Sequence, residues 1–77
     1  MFAEHTLNCS GHLCPVPIIM TEEKMADLKK GEILKVIFTD PGAKSDLEAW
    51  CRATENVLIE FKDEKQKSFA YIQKKTR

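Results

Sequence analysis

The chain lacks several features that mark whole classes of protein. Its 77 residues hold no apolar run close to the ~20 residues that a membrane helix needs, so we expect no membrane insertion. Twelve basic and twelve acidic side chains cancel, which argues against a protein that holds nucleic acid by bulk electrostatics. No basic segment followed by an apolar stretch stands at the start, so we expect no secretory signal and a cytoplasmic location.

Cysteine is scarce as well. The three cysteines, at positions 9, 14 and 51, are too few and odd in number for a closed disulfide framework. In a reducing cytosol such thiols stay free, so at least one of them is a candidate for reactivity. The hydrophobic (43%) and charged (31%) fractions are typical of a globular protein. Because there is no repeat, low-complexity tract or linker, we expect residues 1–77 to form a single domain.

The first half of the chain predicts a strand, a loop and a helix. Apolar and polar side chains alternate over residues 4–9, which predicts a short strand, and Gly11 lies in the loop that follows. The helix is expected to begin near Cys14 and Pro15, because proline is tolerated in a first helical turn. Its apolar stripe consists of Ile18, Thr21, Met25 and Leu28. Gly31 is its predicted C-terminal cap.

The middle of the chain predicts a buried strand and a second helix. Residues 33–39 are apolar at most positions, which predicts a strand that is central in its sheet or buried on both faces. The helix begins either at Asp40, before Pro41, or at Ser45 with a capping box, and both starts remain open. Its predicted inner stripe consists of Ala43, Leu47, Trp50, Cys51 and Thr54.

Two further alternating segments, residues 57–61 and 69–72, are separated by a short turn and predict a β-hairpin. We expect the basic residues that follow to fray. The order is therefore β-α-β-α-β-β, an α+β fold. With right-handed crossovers it gives a two-layer α/β sandwich, in which two helices cover one face of a mixed four-stranded sheet.

Cys14 is the first candidate for chemistry. At the N-cap or first turn of a helix it would lie where backbone N–H groups and the positive end of the helix dipole converge. Such an environment stabilises a thiolate. Pro15 presets the first turn and Pro17 stiffens it, so both hold the sulfur at a junction between loop and helix. The alternative is a small apolar residue without a chemical role.

Other residues near Cys14 leave alternatives open. His12, two positions earlier, either favours the thiolate or is simply solvated. Cys9 either forms a disulfide with Cys14 or packs as a small apolar residue at the strand end. The spacing of Cys9, His12 and Cys14 is not that of a standard zinc knuckle, so we expect no metal site. Cys51 is expected to be a buried core residue.

Residues 7–17, LNCSGHLCPVP, resemble the L-D-x-x-G-x-x-C-P-x-P signature of the TusA/SirA-type sulfur-carrier family. Three further features are similar to that family: Gly31-Glu32 before an apolar strand, Asp40-Pro41 with Asp46, and Trp50-Cys51 late in the second helix. Two positions depart from the signature. Asn8 stands where the signature has aspartate, and Cys9 is not part of it.

The resemblance implies a persulfide-carrying cysteine, and Cys14 matches the motif position. It implies a sulfurtransferase that takes a sulfane sulfur from a cysteine desulfurase or a rhodanese-type protein. The sulfur is relayed to an acceptor protein for tRNA thiolation, cofactor synthesis or sulfur metabolism. The expected supporting residues are Gly11, His12, Pro15 and Pro17. No cofactor is expected.

Two other functions stay open at this point. Cys9 and Cys14 together form a possible thiol redox switch. An RNA-binding module has the same two-layer architecture, but this is an analogy of fold alone. The zero net charge and the few aromatic residues count against it.

Overall fold

The computed structural model describes residues 2–13 and 15–75. Its elements follow the predicted order: β1 (His5–Cys9), α1 (Val16–Met25), β2 (Ile33–Phe38), α2 (Ala43–Thr54), β3 (Val57–Asp63) and β4 (Ser68–Gln73). The four strands form one sheet in the order β1-β2-β4-β3. β1 runs parallel to β2, whereas β4 is antiparallel to both β2 and β3. The predicted mixed sheet and C-terminal hairpin are therefore confirmed.

Alternation along β2 decides which face of the sheet is buried. Leu34, Val36 and Phe38 are buried, while the residues between them are half-buried. The three side chains share one hydrophobic cluster with Met25 of α1 and Leu47 of α2. Both helices therefore cover the same face, and β2 lies inside the sheet as predicted. Because successive strand residues point to opposite faces, the other face carries the half-buried set.

The second face of the sheet is covered in part by its own side chains. The Lys35 ammonium lies 4.9 Å from the centroid of the Phe69 ring and 5.9 Å from that of Tyr71. Lysine stems lie along apolar surface while the charged head reaches water, and a cation above a ring is attracted to its face. Lys35 thereby shields two aromatic rings that no helix covers.

The end of α1 differs from the prediction. The helix ends at Met25 and not before Gly31, so Gly31 is not its cap. The next turn is tighter, because the N–H of Leu28 donates to the carbonyl of Met25 three residues back, at 3.1 Å. Leu28 is still buried, so the apolar stripe continues beyond the helix that it was taken to mark. Gly31, at φ +92°, lies in the turn before β2.

A distant lysine satisfies the carbonyls at this helix end. Lys74 Nζ donates to the carbonyl oxygens of Met25 and Leu28, at 2.8 Å each. The Lys74 backbone is also held, because its N–H donates to the Glu32 carbonyl at 2.9 Å. The expected fraying is therefore wrong for Lys74, while Arg77 lies outside the described residues.

The start of α2 lies between the two predicted positions and closer to Asp40. The helix begins at Ala43 and its N-cap is Gly42. Asp40 lies just before it: its Oδ1 accepts the Gly42 N–H at 3.1 Å, and its carbonyl accepts the Ala43 N–H at 3.1 Å. Ser45 is the third helical residue, so a start at Ser45 is wrong. The predicted inner stripe is confirmed, with Leu47 and Cys51 buried and Trp50 half-buried.

Neither helix of the described residues, 2–13 and 15–75, is long and apolar enough to cross a membrane.

Candidate functional site

The loop after β1 is fixed by hydrogen bonds from its own backbone. Asn8 Oδ1 accepts the N–H of Ser10 at 2.9 Å, a turn that asparagine and aspartate side chains both make. The N–H of His12 donates to the Cys9 carbonyl at 3.2 Å. Gly11, between them, has a φ of +84°, which side-chain-bearing residues rarely adopt. The asparagine at position 8 therefore keeps the hydrogen bond that an aspartate would make there.

A second contact ties this loop to the neighbouring strand. The N–H of Gly11 donates to Thr39 Oγ1 at 2.9 Å, and Thr39 directly follows β2. β1 and β2 are parallel, so their C-terminal ends meet at one edge of the sheet. The loop is thus held at that edge, immediately before the start of α1.

Two prolines shape the start of α1. Pro15 is the N-cap, at φ −96°, and Pro17 is the second helical residue, buried in the interior. Neither has an N–H to donate. The N–H of Val16 donates to the Leu13 carbonyl at 2.9 Å, and those of Ile18 and Ile19 donate to the Pro15 carbonyl at 3.1 Å.

The first turn therefore differs from the expected one in a specific way. Every backbone N–H between Pro15 and Ile19 is either absent or already bonded inside the chain. The expectation that N–H groups converge on a cysteine there is wrong for these residues. What the helix still provides is its macrodipole, whose positive end lies at Val16.

The position of Cys14 itself lies outside the described residues. Its neighbours in the chain are described: Leu13 is 69% exposed, and Pro15 is exposed as well. Of the expected supporting residues, Gly11 and His12 are exposed in the loop, and Pro17 is buried. The elements therefore bring the loop, the N-cap and the first turn of α1 together at one end of the sheet.

The other two cysteines belong to the core. Cys9 and Cys51 are buried in the hydrophobic cluster, as expected for Cys51. Burial raises the pKa of the Cys9 thiol and raises the pKa of the Cys51 thiol to about 11, because a thiolate is poorly solvated there. Both are therefore weak nucleophiles in the folded protein. A disulfide between Cys9 and Cys14 stays a prediction.

Sequence reasoning missed two contacts of this region. One is the Thr39 hydroxyl, which is 28 positions from the glycine that it binds. The other joins the helices: Trp50 Nε1 donates to Glu22 Oε1 at 3.3 Å. The two acceptors, Thr39 and Glu22, are ordinary polar residues in the sequence, and no periodic pattern marks either of them.

Comparison with known proteins decides the family. The family model described as Sulfurtransferase TusA matches residues 5–74, from β1 to the residue after β4. The chain belongs to the TusA family. A putative sulfur carrier protein of Aquifex aeolicus is 42% identical over 71 residues, which are 92% of this chain and 36% of that protein. Putative sulfur carrier protein YrkF of Bacillus subtilis is 46% identical over 54 residues, 70% of this chain and 29% of YrkF.

The chain thus spans about a third of the length of these two curated relatives, but other curated relatives are of its own size. Putative sulfur carrier protein YrkI of Bacillus subtilis is 40% identical over 74 residues, 96% of this chain and 99% of YrkI. A SirA-like protein of Desulfitobacterium hafniense superposes with a TM-score of 0.80 at 18% identity, covering 94% of this chain and 99% of its own. That similarity confirms the fold.

Proposed function

We propose that this chain is a sulfur carrier and that Cys14 holds the sulfur as a persulfide. The observation that carries the proposal is the contrast among the three cysteines. Cys9 and Cys51 are buried core residues with raised pKa values. Cys14 follows an exposed leucine and precedes an exposed proline at the start of α1. TusA-family membership and the names of the relatives support the same role.

The transfer is an exchange of one sulfur between thiols. The Cys14 thiolate attacks the outer sulfur of a donor persulfide, and a new S–S bond forms. The donor S–S bond breaks, and the inner sulfur of the donor leaves as a thiolate. In the second step an acceptor thiolate attacks the outer sulfur, and Cys14 leaves as a thiolate. Neither step changes the overall oxidation state, so no oxidant, reductant or cofactor is needed.

The first turn of α1 suits a carrier better than a hydrolase. A hydrolytic cysteine needs an oriented base and N–H donors for an oxyanion. Between Pro15 and Ile19 the N–H groups are absent or bonded, so they offer no such donors. A carrier needs an accessible thiolate, which the positive end of the helix dipole favours.

The donor and acceptor in this proposal are proteins. The donor is a cysteine desulfurase or a rhodanese-type protein, and the acceptor is a protein thiol in tRNA thiolation, cofactor synthesis or sulfur metabolism. These partners come from the family resemblance. The relay belongs in the cytoplasm, where thiols stay reduced.

Intact mass spectrometry tests the proposal. The protein is incubated with a cysteine desulfurase and cysteine, and in parallel with a rhodanese and thiosulfate, and is then peptide-mapped. We expect a gain of one sulfur atom on Cys14, removed by reductant, absent in Cys14→Ser and retained in Cys51→Ala. Cys14→Ser that still gains the sulfur, or no gain from either donor, would contradict it. The same mapping without reductant, under graded oxidant, tests the Cys9–Cys14 disulfide.

A further inference from the structure

Three apolar side chains stand exposed around the start of α1. Leu13 is 69% exposed, Ile19 53% and Val16 38%. Val16 and Ile19 are three residues apart on a helix and so share one face. The N–H of Val16 donates to the Leu13 carbonyl at 2.9 Å, which fixes Leu13 directly before that helix. We call these three residues the apolar rim.

Charge is absent from the same stretch. Residues 13–21 contain no charged side chain, although 31% of the residues in the whole chain are charged. The acidic residues begin only at Glu22 and Glu23, on the second half of α1. Exposed apolar surface rimmed by polar residues is a mark of interaction sites in soluble proteins. Here it lies beside the cysteine that the proposed function uses.

We infer that the apolar rim is the docking surface for the protein that donates sulfur to Cys14, and that this donor presents an uncharged, apolar surface around its own persulfide. The inference rests on the proposed function. Sulfur passes from one protein to another only when the two sulfur atoms are in contact. Leu13 adjoins Cys14 in the chain and therefore lies in the area that the donor contacts. Removing water from an apolar surface costs no hydration free energy, whereas removing water from a charged surface does. The donor surface is therefore apolar.

The apolar rim is small enough for a transient complex and too small for a stable one. A stable interface buries about 800 Å² on each side, and three partly exposed side chains provide much less. A carrier must also release its donor before it meets an acceptor. A second copy of this chain held at the rim would cover the neighbours of Cys14 and block both steps. The occupant is thus a transient sulfur-donating protein.

Charge insertion at the rim tests the inference. Leu13→Glu and Ile19→Glu are compared with Phe2→Glu, an equally drastic change at a residue that is 77% exposed and lies before β1, at the strand end far from the site. Persulfide formation is followed at increasing carrier concentration with a cysteine desulfurase and with a rhodanese. We expect the half-saturating concentration to rise about tenfold in each rim variant, as for a truncated interface anchor. It should change less than about twofold in Phe2→Glu.

Two further measurements separate the rim from the chemistry. Inorganic polysulfide, which needs no docking, should load Cys14 at the wild-type rate in Ile19→Glu and Phe2→Glu. Leu13→Glu is not used in this control, because its carboxylate adjoins Cys14 and repels an anionic sulfur source. Raising the salt concentration from about 0.05 to about 0.5 M should leave the wild-type half-saturating concentration nearly unchanged, because apolar contacts are not screened.

The outcomes that contradict the docking inference differ from those that contradict the proposed function. The docking inference would be overturned by rim variants that dock like wild type, by a strong loss of loading at high salt, or by a wild-type dimer that Leu13→Glu dissociates. All of these leave the proposed function standing. A wild-type protein that takes sulfur from neither the desulfurase nor the rhodanese would contradict the proposed function as well.

Discussion

The backbone N–H of Gly11 donates a hydrogen bond to Thr39 Oγ1 at 2.9 Å, across 28 positions of sequence. It joins the loop before Cys14 to the residue that follows β2, one of the two inner strands of the sheet. The other described hydrogen bonds of this loop are local turns, made by the N–H groups of Ser10 and His12. The edge of the sheet thereby sets where the carrier segment begins.

Removing the Thr39 hydroxyl should slow the loading of sulfur onto Cys14 and lower the stability of the fold only slightly. Thr39→Val deletes the acceptor at nearly constant volume, and a hydrogen bond of this kind contributes about 1 kcal/mol. In urea denaturation we expect the free energy of unfolding to fall by that amount or less, because the bond is exposed. We also expect slower sulfur loading from a desulfurase. Thr39→Ser keeps the hydroxyl and should behave like wild type. Equal loading by both variants would show that the bond does not position the loop.

Two glycines offer a matched pair for backbone strain. Gly11 and Gly31 have φ values of +84° and +92°, and an added Cβ would meet no atom within 4 Å at either position. Gly11→Ala and Gly31→Ala should therefore lower the free energy of unfolding by a similar amount, about 1 to 2 kcal/mol, because of the backbone conformation alone. Only Gly11→Ala should slow persulfide formation, because only Gly11 lies in the loop before Cys14. A similar slowing in Gly31→Ala would assign the effect to general destabilisation.

The buried thiol of Cys51 predicts a dependence of stability on alkaline pH. Its pKa is raised from 9.0 to about 11 in the folded protein by loss of solvation. The unfolded chain therefore loses this proton first, and the stabilisation, complete below pH 9, is lost as the pH rises through 11. Two units correspond to about 2 to 3 kcal/mol. Urea denaturation should show the stability gap between wild type and Cys51→Ala closing over this range; a constant gap would contradict the prediction.

Lys74 should stabilise the fold from the far end of the chain. Its ammonium donates to the carbonyl oxygens of Met25 and Leu28. Hydrogen bonds to a charged group contribute about 1.5 to 3 kcal/mol each when well formed, and partial exposure reduces this. We expect Lys74→Met to lose about 1 to 2 kcal/mol in thermal or urea unfolding.

The control for this prediction is the adjacent lysine. Lys75 is exposed, and its contact is made by its backbone, whose N–H donates to Asn56 Oδ1 at 3.1 Å. Lys75→Met should therefore change stability by less than about 0.5 kcal/mol. Equal losses in Lys74→Met and Lys75→Met would mean that charge alone matters, and not the capping of α1.

Local patterns were enough to predict the elements, because burial imposes a period on the sequence. The apolar run over residues 33–39 marked β2, and Leu47 with Cys51 marked the inner face of α2. The end of α1 could not be predicted in the same way. Leu28 keeps the helical period although the helix has ended, and the carbonyls there are bound by Lys74, 46 and 49 positions away.

In the site, too, local features could be predicted from the sequence and long-range contacts could not. The Cys-Pro-Val-Pro run located the start of α1 to within a residue or two, because proline has few other places in a helix. The same prolines remove two of the N–H donors that we expected, which could have been foreseen from their chemistry, and the others are bonded within the chain. The Thr39 contact and the exposure of the apolar rim depend on how β2 and the first turn of α1 are placed in space, which no single stretch of sequence encodes.

Trp50 gives the fold a built-in optical probe. It is the one tryptophan of the chain, so all indole fluorescence comes from this side chain. Its N–H reaches Glu22 on α1, three residues beyond Ile19 of the apolar rim. A partner that settles on the rim changes the surroundings of that carboxylate, and the emission of an unlabelled protein then reports the encounter as it happens.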